Sequence, residues 1–530
     1  RDFCLSRGLG DVYKRQVHPS GHASDSLSVA CGLARARDLR GEDRKIVTLI
    51  GDASLSGGMA FEALNDIGQA QTPMVIILND NEMSISRNVG AMAKHLGSLR
   101  VSANYQRNRD TMQDFMESIG PAGKAMVKIG KSAKDSLKQF VVPDTMLFEQ
   151  LGIVCSPPIN GHDMSRLRTE IKRALESSSP VLLHVITKKG AGYPPAEQNP
   201  SKFHGVGPYD IETGELSKKS HGVLTYTQAF SATLLKEAEK DNTIVAITAA
   251  MIDGTGLRPF VDEYPERSFD VGIAEGHALG MASGLALGGL KPVVAMYSTF
   301  LQRAIDQTII NNALPDLDIV LAVDRAGLVG DDGPTHHGIF DIVYLRMIPN
   351  LKVLAPADES ELASSLHTAL ALKGPVALRY PRGEACGVPL PDNPKLLEVG
   401  KSRCVREGND VSILSFGRML SYACEAADIL EEHSISVCVV DMRWIKPLDI
   451  EAIRAASKTS LVVTLEEGVV EGGVGEEVLE VLVKEHLHSN VVNLGIPDTF
   501  IEQGSVAHLF QDLGLDGEGI AASILNRLNK

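Results

Sequence analysis

No two of the seven cysteines, at 4, 31, 155, 386, 404, 424 and 438, stand in CxxC spacing. An odd, dispersed set argues against a zinc site or a disulfide framework and fits buried thiols in a reducing cytosol. Positive charge is also short. Against 67 Asp and Glu there are 52 Lys and Arg, giving a net charge of −15 and a pI near 5.5. This removes nucleic acid and anionic membrane as default partners, although a small anionic substrate needs only a local basic pocket. A signal peptide is missing too: RDFCLSRGLGDVYKRQ, residues 1–16, mixes charges and has no continuous apolar core. These residues fit no element of the pattern that begins at residue 17, so they are read as a non-native leader before a chain whose own start is absent. No uninterrupted membrane-length run occurs. The longest apolar stretch, 276–296, is broken by His277, Lys291 and Pro292. Gly276, Gly280, Gly284 and Gly288 repeat every fourth residue within it. That stripe predicts a buried helix whose backbone packs closely on a neighbour.

What is present is ordinary for a globular protein: 44% hydrophobic and 22% charged residues. A length of 530 residues suggests about three domains. Short β-branched runs recur at 46–50, 74–80, 181–187, 243–248, 292–298, 318–324, 411–417, 436–442 and 460–467. Continuous apolar strands alternating with helical intervals predict an α/β chain of three doubly wound domains with mainly parallel sheets. The first spans 17–220 and closes on a Gly/Pro/Lys-rich stretch at 188–220; the second spans 221–390 and the third 391–530. Residues 100–145 break the pattern and are read as either a solvated helical excursion or a lid. Ligands of such sheets sit outside the carboxyl ends of the strands, so polar residues there are the ones to weigh.

The turn GDASLSGG, at 51–58, follows the first run where a phosphate loop could stand, yet it has neither the lysine of such a loop nor GxGxxG. Asp52 alone reads most simply as a helix cap. The next run ends in ILNDNEMSIS, and adjacent parallel strands would bring Asn81 beside Asp52. A carboxylate and an amide oxygen are hard ligands that suit Mg²⁺ carrying substrate phosphate oxygens.

GD followed about thirty residues later by N resembles the metal-diphosphate motif of thiamine diphosphate enzymes. GDASLSGGMAFEALNDIG and VIILNDNEMSISRNVGA are similar to the 1-deoxy-D-xylulose-5-phosphate synthase family, relatives of transketolase. So are GHASDSLSVACGLA, TKKGAGYPPAE, YSTFLQRAIDQ, DRAGLVGDDGPTHHGIFD, LRYPRG and LGIPDTFIEQG, in the same order over essentially 17–530. The resemblance implies the thiamine diphosphate-binding, transketolase-like fold, with a diphosphate domain, a pyrimidine-binding domain and a transketolase C-terminal-like domain. It implies Mg²⁺ held by Asp52, Asn81 and the carbonyl of Met83. Gly21, His22, Ala23, Ala53, Ser54, Asn81, Lys189 and Tyr193 would meet the cofactor, mainly at its diphosphate. The family often has Gly where Ala53 stands.

Glu275, in FDVGIAEGHALG, reads by itself as an acid at a helix start, worth a few tenths to about 1 kcal/mol through the helix dipole. The resemblance instead makes it the catalytic glutamate that bonds the aminopyrimidine ring, a role that needs a carboxyl group in an apolar site, protonated or sharing a proton. Gln commonly follows this Glu in the family; here Gly276 does. Phe300 would stack on the same ring. Arg325, Asp332 and His336, with Arg379 and Arg382 around Tyr380-Pro381, form a positive, histidine-bearing group at strand ends. Guanidinium forks suit a terminal phosphate. The resemblance gives Arg325 and Arg382 to the acceptor phosphate, lines the same cleft with Tyr297, Arg303 and Asp332, and leaves His204 and His336 for proton transfer.

The implied activity is decarboxylation of pyruvate on thiamine diphosphate and transfer of the two-carbon unit to D-glyceraldehyde 3-phosphate, by a cytoplasmic homodimer. The product would feed isoprenoid, thiamine and pyridoxal precursors. The alternatives are another transketolase-superfamily enzyme and an inactive fragment, since the resemblance begins inside the first domain.

Overall fold

The computed structural model describes residues 21–83, 88–101, 146–216, 222–330 and 332–528. Residues 1–16 and nearly all of 100–145, read above as leader and as excursion or lid, lie outside the described residues. The chain divides into two compact units. The smaller runs to 218 and takes in Gly272–Ala274; the larger holds most of the remainder to the C-terminus.

The smaller unit is built on one parallel sheet in the order β1 (Val47–Gly51), β2 (Val75–Asp80), β5 (Val181–Ile186) and β3 (Val154–Cys155), with β4 (Ile159–Asn160) also on β5. Helices α1 (Ser26–Leu39) and α2 (Gly58–Ala70) bury Leu27, Ala30, Leu64 and Ile67 against Ile50, Ile76 and Leu78 on one face. On the other, α3 (Met164–Leu175) sets Leu167, Ile171 and Ala174 against Val75, Leu183 and Val185. Covering both faces is what a strand as uniformly apolar as β5 requires. Its one polar side chain is His184, which is buried.

The larger unit carries two sheets. The first has the order β15 (Trp444–Lys446), β10 (Lys352–Leu354), β11 (Val376–Tyr380), β9 (Val320–Asp324), β8 (Lys291–Tyr297), β6 (Ile244–Thr248) and β7 (Ser268–Asp270). All its pairings are parallel except that of β15 with β10. The second has the order β12 (Arg403–Arg406), β14 (Val437–Asp441), β13 (Val411–Ser415), β16 (Leu461–Val469) and β17 (Val491–Ile496), with only β12 antiparallel. Every residue of β6, β9, β11 and β13 is buried. One core joins the two sheets, with Ile342 and Leu345 from the seven-stranded side packed among Val462, Val474 and Val478 from the other.

The nine runs read as strands are all strands. The rest are mostly two or three residues long and come into being only by pairing. Helix α4 (Tyr226–Lys240) starts on a reciprocal cap: Gln228 N–H donates to Thr225 Oγ1 at 3.1 Å, and Thr225 N–H donates to Gln228 Oε1 at 2.9 Å. Its Phe230 stacks on Tyr380 of β11, with centroids 5.4 Å apart and planes 25° from parallel.

The glycine stripe departs from expectation. Helix α5 (Glu275–Leu287) carries it, but Gly280 and Gly284 are exposed, and a Cβ built on either meets nothing within 4 Å. A Cβ on Gly276 would lie 3.0 Å from Gln307 Oε1, and one on Gly288, just past the helix end, would meet only the Leu285 and Gly284 carbonyls of the preceding turn. Small residues every fourth position mark a face open to close approach, and among the described residues nothing covers it at Gly280 and Gly284.

Phe230→Ala removes a fully buried ring from the core. The larger unit should lose about 3–5 kcal/mol, seen as an earlier urea midpoint by far-ultraviolet circular dichroism, with substrate-free protein.

Candidate active site

Each unit presents its own group of polar residues at the carboxyl edge of a parallel sheet. In the smaller unit, β1 and β2 pair with Gly51 level with Asn79. The next residues of both strands therefore meet at one edge, as the sequence predicts for Asp52 and Asn81. Asp52 is buried and opens a single helical turn, Asp52–Leu55. Its Oδ1 accepts the Ala53 N–H at 3.0 Å and its Oδ2 accepts the Glu82 N–H at 2.8 Å. Glu82 reaches that position with φ of +64°. Asn81 Oδ1 accepts the Met83 N–H at 3.0 Å, folding the 81–83 turn on itself. Asp80 is fully buried beside these groups and its Oδ2 lies 2.8 Å from His184 Nε2. Burial, together with the hydrogen bond and charge of Asp80, pushes the Asp52 carboxyl up to about 7, against the pull of two backbone N–H groups. Two carboxyls crowded into one buried edge favour a cation there. Asp52 with the Asn81 amide gives the hard oxygen donors that Mg²⁺ takes.

Around this edge, Ser24 Oγ donates to the Ser54 carbonyl at 2.6 Å, tying the segment of Gly21, His22 and Ala23 to the turn of Ala53 and Ser54. Gly57 has to be glycine, since a Cβ would stand 2.3 Å from Ser24 Oγ. Beyond β5, Lys189 Nζ meets His204 Nδ1 in a short hydrogen bond. Tyr193 donates its hydroxyl to the Ile211 carbonyl at 2.8 Å and packs among Phe203 and Tyr209.

In the larger unit, the parallel register sets Tyr297, Asp324 and Tyr380 level at the ends of β8, β9 and β11. Just beyond them stand Phe300, Arg325 and Arg382. The Tyr297 and Phe300 rings stack at 5.6 Å and 26°, and His336 meets Phe300 edge-on at 5.7 Å. Arg325 lays its guanidinium 3.6 Å from the Tyr297 ring centroid. It does so with φ of +62°, a backbone that costs a non-glycine residue about 1–3 kcal/mol. Arg382 Nη1 is 3.8 Å from Asp332 Oδ2, and His336 Nδ1 is 2.9 Å from Thr335 Oγ1. Buried Asp324 is pushed up to about 6 by desolvation, moderated by Arg325 and by the Thr227 hydroxyl. Arg379 does not join this group: it points into the core and donates to Asp341 Oδ2 at 3.0 Å.

Glu275 is the first residue of α5 and is buried. Desolvation holds its carboxyl above the ordinary glutamate range, with the Arg303 charge pulling weakly the other way. A buried carboxyl shifted toward its neutral form is the kind of group the sequence reading calls for. The departure at Gly276 is filled from elsewhere, by the Gln307 amide. Sequence reasoning passed over Asp80, His184 and Asp324. The signals were there: a second acid beside Asn81, the lone polar residue in VLLHVIT, and an acid directly before Arg325.

Three family models match in order: 1-deoxy-D-xylulose-5-phosphate synthase over 14–187, the transketolase pyrimidine-binding domain over 223–387, and the transketolase C-terminal domain over 400–520. A 1-deoxy-D-xylulose-5-phosphate synthase from Heliobacterium modesticaldum is 49% identical over 521 residues, 97% of this chain and 80% of that protein. One from Syntrophotalea carbinolica is 48% identical over 525 residues, 98% of this chain and 83% of that protein. Among solved structures, a split-gene transketolase in an inactive β4 tetramer is 32% identical, with a TM-score of 0.52, covering 58% of this chain and 99% of that one. A transketolase from Campylobacter jejuni, at 18% identity and a TM-score of 0.51 over 96% of this chain and 82% of that one, shows the shared fold.

The raised Glu275 carboxyl has a consequence for stability. In the unfolded chain it ionises at its ordinary, lower pKa. Stability is therefore lost as pH rises from that value through the folded one, and stays lower above it. Glu275→Gln cannot ionise. It should melt at a higher temperature than the parent near neutral pH, with the gap narrowing as pH falls through about 4 and closing below it, where both states hold the proton. Calorimetry of the cofactor-free protein across that range checks it; a constant gap would contradict it.

Proposed function

Because the chain belongs to the 1-deoxy-D-xylulose-5-phosphate synthase family, we propose that it decarboxylates pyruvate and joins the two-carbon unit to D-glyceraldehyde 3-phosphate, releasing CO₂ and 1-deoxy-D-xylulose 5-phosphate. The observation that carries this reading is buried Glu275, whose carboxyl is shifted toward the neutral form by desolvation in the unit that also holds the ring stack and the arginines. When bound, thiamine diphosphate supplies the nucleophilic carbon and the electron sink that loss of a carboxyl group from a 2-oxo acid requires.

The chain's own residues do the rest. Asp52, Asn81 and the Met83 carbonyl would hold Mg²⁺, with Gly21, His22, Ala23, Ala53, Ser54, Lys189 and Tyr193 around the diphosphate. Glu275 would keep a proton on the aminopyrimidine ring and Phe300 would pack against it. Arg325 and Arg382 would take the acceptor phosphate, since two guanidinium groups can each give paired hydrogen bonds to it. Tyr297, Arg303 and Asp332 would orient the carbonyl groups, and His204 and His336 would hand over protons near neutrality. The division into 17–220, 221–390 and 391–530 is part of the same proposal, as is supply of isoprenoid, thiamine and pyridoxal precursors.

A homodimer fits the uncovered face of α5. Leu287 on α5, Ile310 on the π-helical turn Thr308–Ala313 and Leu314 just after it are 75%, 52% and 72% exposed. A cytoplasmic setting fits the six described cysteines, all free thiols. No helix among the described residues is long and apolar enough to cross a membrane.

Purified protein with pyruvate, D-glyceraldehyde 3-phosphate, Mg²⁺ and thiamine diphosphate should release CO₂. Glu275→Ala should stop turnover while cofactor still binds, and Asp52→Asn should weaken Mg²⁺-dependent cofactor binding by calorimetry. Absence of CO₂ release from cofactor-loaded parent, or transfer of a two-carbon unit from ketose phosphates (leaving an aldose phosphate and no CO₂) in place of pyruvate, would overturn the reading. For assembly, sedimentation velocity should give twice the chain mass, and Gly284→Arg should return single chains; a parent sedimenting as one chain would contradict the dimer.

A further inference from the structure

The third segment, from 391 onward, supplies none of the residues assigned to the reaction, yet one of its ion pairs grips both backbone segments that carry the phosphate arginines. Glu467 lies on β16, buried. Its Oε1 accepts the Leu328 N–H at 2.7 Å, and its Oε2 accepts Arg418 Nε at 2.7 Å. The Arg418 fork closes a second bond to the same carboxylate through Nη2. That Nη2 also donates to the Leu328 carbonyl at 3.1 Å, while Nη1 reaches the Arg382 carbonyl at 3.4 Å. One guanidinium thus touches the main chain at Arg382 itself and at the loop three residues beyond Arg325.

The loop is shaped to receive this pair. Gly327 has φ of +78°, and a Cβ there would fall 2.0 Å from the Glu467 carboxyl carbon, so the acid occupies space that only glycine leaves. Gly327 and Gly338 exchange N–H to carbonyl bonds of 2.7 and 2.8 Å, closing the loop that bears Asp332 and His336. Ala326 N–H donates to the Tyr380 carbonyl at 3.0 Å, tying the same loop to the segment leading to Arg382. On the far side the Glu467 carbonyl accepts Arg379 Nη2 at 3.1 Å. Arg418 in turn rests over Phe510, 5.2 Å from its ring centroid.

We propose that Arg418, anchored by Glu467, is a positioning residue for the acceptor phosphate: it sets the spacing of Arg325 and Arg382 and so selects a phosphorylated acceptor. It contacts neither Glu275 nor the stacked rings. Binding and decarboxylation of the 2-oxo acid do not pass through it. This rests on the reading of Arg325 and Arg382 given above.

The test is steady-state kinetics at saturating pyruvate with D-glyceraldehyde 3-phosphate and, separately, D-glyceraldehyde as acceptor. The unmodified enzyme should prefer the phosphorylated acceptor strongly; if it does not, the phosphate reading itself fails before any variant is measured. Arg418→Met, which keeps the stem and loses the fork, should raise KM for the phosphorylated acceptor roughly ten- to a hundredfold, the span of a lost charge-assisted bond. The kcat/KM for D-glyceraldehyde and the KM for pyruvate should stay within about twofold of the parent. Arg418→Lys should recover part of the loss. Should Arg418→Met not fold, Glu467→Gln, which keeps an oxygen for Leu328 but drops the charge, should move the same KM in the same direction by less. Equal losses with both acceptors, or no change with either, would overturn the proposal.

Discussion

The hydrogen-bonded register of parallel strands at their carboxyl ends is the constraint from which both polar groups descend. Gly51 level with Asn79 puts Asp52 and Asn81 at one edge. Tyr297, Asp324 and Tyr380 in one row put Phe300, Arg325 and Arg382 just beyond. A parallel ladder offers no freedom to slide without turning every apolar side chain of a doubly covered strand. The sites inherit their precision from cores packed behind them, and their chemistry from a few residues past the last paired position.

Those residues are held against their electrostatic preference. Asp52 beside Asp80, Glu275 at the head of a helix and Asp324 beneath Arg325 are all carboxyls pushed toward the neutral form by burial. Each meets a different remedy. The first pair offers the hard oxygens that a metal ion takes, the second is shifted toward its neutral form by desolvation, and the third is offset by an arginine stretched over an aromatic face. Three similar acids acquire different electrostatic settings through their neighbours alone.

Much of this is legible in the sequence, for identifiable reasons. Long β-branched runs such as VLLHVIT stand out because a strand covered on both faces has no polar phase. Strands β3, β4, β7, β10 and β15 are invisible there because two or three residues carry no period. The Asp52–Asn81 partnership can be read from spacing, and Glu275, Phe300, Arg325 and Arg382 from a family pattern. The glycine stripe misleads: glycine records that something can come close, without saying whether it belongs to the same chain. Arg418 is beyond reach for another reason. Its partner is 49 residues away on a strand of another element, and an arginine beside a helix start looks like any other.

Strand β15 has a consequence for how the protein is made. It belongs by sequence to the third segment, yet it seals the outer edge of β10, with Trp444 level with Leu354 and fully buried. A nascent chain that has already emerged past β11 therefore still shows an unpaired strand edge and an empty slot for an indole. That edge stays available to other chains until residue 446 has left the ribosome. The stretch of synthesis between residues 380 and 446 is thus the interval in which this edge is open to pairing with other chains.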